Sequence, residues 1–480
     1  MKSNRPRILF VGRSIGHFSY YDTVLASIIE RGGRVELLLD KKWSSKWLRG
    51  IDRTVIENFT ARYPSFRMAW LKRREDRFRS FIFELRELRT YRSYVTRPQT
   101  TPFYIKRWRA YLSDAWKARL DLPFAEAILK WPITGKILEW IEDLVPPDPA
   151  VTEFIKSRRP DLLICSPQNL RYSEEVEYAK AAKKLGIPVT ALTISWDNLS
   201  TKGLFHIKPD LLYVWNAYQQ ADAATVHGLK PDEIRVTGSP FFDKWFTSPS
   251  DIIDRETFCR TVGLDPGRPI LLYLGSSKNI ATDETWFISA VYAKLKANEA
   301  LADCQILVRP HPANAEIYPA IVSDEIKVWP EGGALPETGE DFGMMRASFA
   351  HCIGSLGINT SAMIDSVLAD VPTFTVRVKQ YKNTQSSAVH FQYLEESRAM
   401  YLCNTLRDFI GGLQKVRAGQ DDKAGKRKKF AVAFARPNGL GRTAGDVVAE
   451  AALKLARAQR AKSEGAGQKA DATSPAKAAS

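Results

Sequence analysis

The stretch Ala350-His351-Cys352-Ile353-Gly354-Ser355-Leu356-Gly357-Ile358-Asn359-Thr360-Ser361, with Asp365 following, decides the fold. A short apolar run, 350–353, reads as a strand that ends in a Gly/Ser loop. The loop closes on Asn-Thr-Ser, and an amphipathic helix over 361–369 begins there. In an open α/β sheet this junction is the carboxyl edge, where ligands bind. Glycines admit a close backbone approach, and the free N–H groups of a helix start favour phosphate. Gly357, Asn359, Thr360 and Ser361 are therefore candidate phosphate contacts. Asp365 lies one turn into the helix on the face of Ser361, where a carboxylate can take a sugar or ribose diol. The alternative is an ordinary joint in which Ser361 is only an N-cap.

Strand and helix signals alternate on both sides of this stretch. Strands read at 7–11, 35–39, 161–165, 188–194, 211–215 and 234–236, with helices at 23–30 and 174–185. A pause over 243–254 reads as an interdomain link. A second series follows, with strands at 270–274, 305–308, 326–328, 350–353, 373–376 and 400–403 and helices at 284–296, 361–369 and 406–417. The 480 residues exceed what one core usually serves. The expected division is a first domain over 1–245 and a second over 246–460. Residues 461–480 are low in complexity and expected to be disordered. The class is α/β, with two Rossmann-like domains facing across a cleft.

Residues 41–145 break the rhythm and read as a helical insertion. Within it, 41–119 hold 21 Lys/Arg against 7 Asp/Glu, together with 16 aromatic residues, and so supply most of the chain's net charge of +16. Interleaved basic and aromatic residues fit an anionic membrane surface. A nucleic-acid partner is disfavoured, because no recognised nucleic-acid module accompanies the patch. The other reading is a solvated insertion whose aromatics pack inward. Five scattered Cys without a C-x-x-C pair imply reduced thiols and a cytoplasmic setting. No signal-peptide pattern opens the chain, and no apolar run is long enough to span a bilayer.

Other chemistry-bearing groups stand at strand ends. Arg309-Pro310-His311-Pro312 closes one strand, and its stiff exit holds Arg309 and His311 at the sheet edge as phosphate ligands. Gly275-Ser276-Ser277 closes another and offers backbone N–H groups and hydroxyls to phosphate. In the first domain, Ser195-Trp196-Asp197-Asn198 follows a strand, with Lys202 close behind. Asp197 is a candidate general base or acceptor-orienting carboxylate, with Trp196, Asn198 and Lys202 on the acceptor side; the alternative is an Asx turn. His17, in the loop after the first strand, is a second candidate base. No D-x-D pair, H-E-x-x-H or cysteine cluster asks for a metal, and no resident cofactor is expected.

The order of these segments resembles GT-B glycosyltransferases: His17 in a Gly-containing loop, Thr237-Gly238-Ser239-Pro240, Gly275–Ser277, Arg309–Pro312, then Gly354…Ser361…Asp365. The likeness is nearest to bacterial surface-polysaccharide enzymes around the CDP-glycerol glycerophosphotransferase group. It covers roughly 160–450 and is weak over 41–145. The resemblance implies a nucleotide-activated sugar donor held by the second domain. His311, Thr360 and Ser361 would then lie on its phosphates, and Asp365 would take the place of the ribose-binding glutamate, one methylene shorter. It further implies metal-independent transfer to a cell-surface polysaccharide or lipid-linked acceptor, on the inner face of the cytoplasmic membrane. The alternatives are a nucleotide-sugar 2-epimerase of the same fold and a non-catalytic glycan-assembly partner.

Overall fold

The computed structural model describes residues 5–47, 54–98, 100–246, 252–333 and 339–472. The chain divides into two compact units, 1–241 with 436–480, and 242–435. Each is built around one parallel sheet.

The first sheet contains β1 (Arg7–Gly12), β2 (Arg34–Leu39), β3 (Phe66–Trp70), β4 (Leu162–Ser166), β5 (Val189–Leu192), β6 (Leu211–Val214) and β7 (Ile234–Val236). Their order is β3-β2-β1-β4-β5-β6-β7. The inner strands are buried on both faces, which is why they read as continuous runs of Val, Ile and Leu. The chain order reverses between β1 and β4, so the loops after these two strands flank the switch point.

The second sheet contains β8 (Ile270–Leu274), β9 (Gln305–Arg309), β10 (Ile326–Val328), β11 (Gly354–Gly357), β12 (Thr373–Val376) and β13 (Tyr401–Cys403). Their order is β10-β9-β8-β11-β12-β13, with the reversal between β8 and β11.

Four expectations are corrected. The strand expected at 350–353 is β11, four residues later, because Ala350 still ends the helix Gly339–Ala350. The Gly-Ser-Leu-Gly segment taken for a loop is therefore itself the strand. Small residues suit it: a Cβ on Gly357 would stand 3.1 Å from the Leu274 carbonyl oxygen and 3.2 Å from Met363 Cγ. The insertion expected at 41–145 is shorter, since Phe66–Trp70 pairs in parallel with β2 as an edge strand of the first sheet. The last helix does not close the second domain. Ala444–Ala472 returns to the first unit, where Val448, Ala452, Leu453 and Ala456 enter the core beside Val24, Leu25 and Ile28. Its course to Ala472 also replaces the disorder expected from 461; residues 473–480, like 247–251 of the expected link, lie outside the described residues.

What remains of the insertion is a helical layer, Arg79–Thr96, Pro102–Ala110, Asp114–Leu120, Ala125–Lys130 and Pro132–Leu144. It has its own core, in which Ile82, Leu88, Tyr91, Tyr94 and Trp108 are buried. Much of its basic character is turned inward. Arg74 is fully buried against Glu177 at 2.8 Å, and Arg86 pairs with Glu142 at 2.8 Å. The inward-packing reading therefore holds for these aromatics and cations.

Candidate functional site

In the second unit, the carboxyl ends of β9, β8 and β11 are adjacent, and they carry the segments singled out from the sequence. The Gly275 N–H donates to the Arg309 carbonyl at 2.9 Å, which ties the ends of β8 and β9 together. The Asn359 N–H donates to Ser276 Oγ at 3.4 Å and bridges the switch point between β8 and β11. A Cβ on Gly275 would stand 2.4 Å from the Tyr318 hydroxyl, so no other residue fits unless the ring moves. That hydroxyl donates to Glu284 Oε2 at 2.8 Å, and the same oxygen accepts the Ser276 N–H at 2.8 Å. Burial raises the Glu284 carboxyl above the usual range. Glu284 and Tyr318 thus shape the loop from beneath.

At this edge Arg309 is partly exposed, but its Nη1 is buried and has no hydrogen-bond partner. Burial holds its guanidinium down to about 10, against the pull of Asp365. An unsatisfied buried guanidinium N–H is costly and calls for an anion or water. His311 Nδ1 accepts the Ala313 N–H at 3.0 Å, which puts the proton of the neutral ring on Nε2. Burial lowers its pKa to about 4, so the ring is neutral at physiological pH and offers one N–H.

Asp365 is buried, and its Oδ1 accepts the Trp245 indole N–H at 2.6 Å. Burial raises its carboxyl to about 6, against Lys244, Trp245 and Arg309. The Trp245 ring is held edge-on by Phe342 and Phe349, and the Arg346 guanidinium donates to the Lys244 carbonyl. Lys244, Trp245 and Arg346 were not singled out in the sequence; Trp245 is 120 positions from Asp365, and no local pattern links them.

The remaining second-unit residues divide. Asn359 spends its side-chain amide on the Thr384 carbonyl at 2.6 Å, so it anchors the loop from inside. Gly357 lies within β11 and serves helix packing. Ser277 accepts the Ile280 and Ala281 N–H groups through its carbonyl and keeps a partly exposed side chain. Ser361 precedes the helix Ala362–Leu368, is exposed, and makes no side-chain capping bond, contrary to the plain N-cap reading. Thr360 is buried beside it.

In the first unit, the Trp196–Lys202 loop is held by its own side chains. Asp197 Oδ1 accepts the Ser195 hydroxyl at 2.7 Å, Oδ2 accepts the Thr201 hydroxyl at 2.7 Å, and Lys202 Nζ lies 2.8 Å from Oδ2. Asn198 is fully buried; its Oδ1 accepts the Ile194 and Ser195 N–H groups, and its Nδ2 donates to Asn169. Trp196 is buried as well. The alternative Asx turn is not what holds this loop: the Asp197 carboxylate is engaged by the Ser195 and Thr201 hydroxyls and the Lys202 ammonium, and Trp196 and Asn198 are buried, so these groups are occupied in holding the segment.

The chemistry of the first unit gathers instead after β1 and β4. His17 stands in the turn Ile15–Tyr20 with a buried, unpartnered Nδ1, and burial, then Arg13, lower its pKa to about 4. Arg13 donates to the Arg171 carbonyl at 2.7 Å and stacks 3.9 Å over Trp43, yet its Nη1 is buried without a partner. Tyr21 Oη, Gln168 Oε1 and Glu175 Oε1 are likewise buried and unpartnered. Burial raises Glu175 to about 7 although its Oε2 accepts the Ser173 hydroxyl at 2.5 Å. Glu175 opens the helix Glu175–Lys184, the next helix after β4, and belongs to no motif, so no local pattern marks it. Among the described residues no group of three or more His, Cys, Asp or Glu is arranged to hold a metal ion.

No protein-family model and no curated protein matches the chain. Solved structures do. The chain is similar to the UDP-GlcNAc 2-epimerase of Neisseria meningitidis, solved bound to UDP-GlcNAc, with a TM-score of 0.51 and 10% identity over 93% of this chain and 100% of that one. It is similar to a glycosyltransferase of Rickettsia africae, with a TM-score of 0.51 and 9% identity over 95% and 99%. Identities this low carry the fold alone, and the narrower likeness to the CDP-glycerol group has no counterpart in these two structures. Two parallel sheets, each reversing its strand order at one switch point, and whole-length similarity to these enzymes establish that the chain has the two-domain α/β fold of the GT-B superfamily.

Proposed function

We propose that the protein is a glycosyltransferase that moves a sugar, or a related phosphoglycosyl unit, from a nucleotide-activated donor to a cell-surface polysaccharide or lipid-linked acceptor, without a metal. The observation that carries the reading is the buried, unpartnered Nη1 of Arg309 at the carboxyl edge of β9 next to the switch point, with neutral His311 two residues on in the same strand exit and its Nε2 carrying the proton. A diphosphate satisfies both groups. Arg309 binds phosphate as a planar fork, and His311 adds a neutral hydrogen bond that persists through the physiological range. As the glycosidic bond to the diphosphate breaks, charge grows on the leaving oxygens, and a preorganised cation there stabilises it. Thr360 and Ser361 supply hydroxyls beside β11, and Asp365, with Trp245 fixing its orientation, faces the nucleoside sugar. His17 and Glu175 are the candidate proton acceptors in the first unit. Both are shifted by burial, in opposite directions, and both have an unsatisfied buried atom.

The second reading is a nucleotide-sugar 2-epimerase, favoured by the fold shared with the Neisseria enzyme. One experiment separates the two. Purified protein is incubated with UDP-, CDP- and GDP-sugars, with and without a polyprenyl-linked saccharide. Nucleotide release that requires the saccharide supports transfer. A C2 epimer formed without it supports epimerisation.

A further inference from the structure

Among the described residues, 16 large apolar side chains are exposed, and half of them fall within residues 122–144 of the helical layer. Ile133, Ile137, Trp140 and Leu144 follow one another at i, i+4, i+7 and i+11 on the helix Pro132–Leu144. At ~100° per residue they fall within a stripe roughly 60° wide. The preceding helix and its turn add Phe124, which is 81% exposed, Ile128, and Trp131, which is 58% exposed.

The stripe is not a face that a small rotation would bury. The opposite side of the same helix is clamped into the unit: Leu138 is buried, and Glu142 is held at 2.8 Å by Arg86 and at 3.2 Å by Lys180. Turning the stripe inward would strand that buried carboxylate, a change that is strongly unfavourable. Single exposed apolar residues are normal, but a contiguous set marks an interaction surface.

We propose that this face docks on an anionic lipid bilayer, with Phe124, Trp131 and Trp140 entering the interface. Bulky aliphatic and indole side chains together suit the headgroup–acyl boundary. Charge favours a bilayer over a second copy of the chain: the protein carries a net charge of +16, so a copy repels where anionic lipid attracts. The stripe itself is not basic, since Glu139 and Asp143 share its helix. The attraction comes from exposed Lys106, Arg119 and Lys136 and from the net charge of the whole chain. Among the described residues no helix is long and apolar enough to cross a membrane, so the attachment is a surface one. The surface stands on exposure and charge and does not depend on the sugar-donor reading.

The test is flotation of the full chain with phosphatidylcholine vesicles, with and without phosphatidylglycerol, for the wild type and for a Trp131→Ser, Trp140→Ser double variant. The wild type floats with the anionic vesicles, binds neutral ones several-fold less, and is released by salt. The double variant partitions at least about tenfold less while its unfolding midpoint and nucleoside diphosphate binding are unchanged. Wild type that stays at the bottom with anionic vesicles overturns the proposal. So does a double variant that floats as well as wild type, or a wild-type dimer in solution that the same substitutions dissociate, which would assign the face to a second copy.

Discussion

Replacing Arg309 by Gln separates a ligand-binding role from a structural one, because the two predict opposite effects. In the free protein the guanidinium is held charged although burial lowers its pKa from 12.5 to about 10, a displacement that corresponds to roughly 3 kcal/mol at most. Partial exposure of the side chain reduces that figure. The sign is uniform in pH: a cation with a lowered pKa strains the fold everywhere below about 10, so the benefit of removing it is constant from pH 5 to 9. Against it stands the loss of stacking on Trp329, whose ring lies 5.5 Å away, worth about 0.5–1 kcal/mol. Arg309→Gln is therefore expected to leave stability within ~1 kcal/mol of wild type or to raise it. A charge-assisted hydrogen bond to phosphate contributes about 1.5–3 kcal/mol, so affinity for UDP or CDP should fall about ten- to a hundredfold. Calorimetric titration of both proteins with each nucleotide, beside ligand-free thermal unfolding, reads both quantities. A variant that binds with the wild-type Kd, or one that loses binding only because its midpoint has dropped by several degrees, would refute the reasoning.

Asp365→Asn should differ from Arg309→Gln in its pH dependence. The folded carboxyl sits at about 6 against a usual 3.8, so the wild type is fully favoured below about pH 4 and loses stability as pH rises through 6. The margin of Asp365→Asn over wild type should grow across that window by no more than ~3 kcal/mol, and parallel pH profiles in thermal unfolding would contradict it. Gly275→Ala places a Cβ 2.4 Å from the Tyr318 hydroxyl and should cost about 1–3 kcal/mol in urea unfolding, with partial recovery on adding Tyr318→Phe. Asp197→Asn should cost at most ~1 kcal/mol and leave kcat within a few-fold, because its ion pair is partly exposed and structural. His17→Ala should lower kcat about 100- to 10,000-fold at unchanged midpoint if His17 takes the acceptor proton. Equal kcat in the two variants would return the base to an open question.

The alternation of apolar runs was sufficient to read both sheets, because strands buried on two faces carry their signal locally. Strand ends were less legible. In 350–357 the apolar letters belong to a helix end and its turn, while β11 is made of Gly-Ser-Leu-Gly, whose small size comes from the closeness of Leu274 and Met363. Phe66–Trp70 escaped because its Arg and Met suit an edge strand and sit in a basic context. The Arg309-Pro-His311 exit was readable, since proline stiffness is a local property. Asp197 looked like a base because sequence shows a carboxylate but not the Ser195, Thr201 and Lys202 groups closing on it. Trp245 on Asp365, and Glu175 near Arg13, arise from contacts between distant segments, and no spacing rule announces them. The apolar face at 122–144 was hidden for the opposite reason: exposed Ile, Leu and Trp are written with the same letters as a core.

The central claim is that the second unit holds the diphosphate of a nucleotide. A thermal-shift screen of the wild type over CDP, CMP, UDP and GDP tests it most directly. At 100 times its dissociation constant a ligand stabilises the folded state by about 2.7 kcal/mol, a shift of roughly 5–11 °C for a unit of this size. The account predicts a saturable rise for at least one nucleoside diphosphate that exceeds the rise for CMP and disappears in Arg309→Gln. No shift with any of the four, or a shift that survives Arg309→Gln intact, would contradict it.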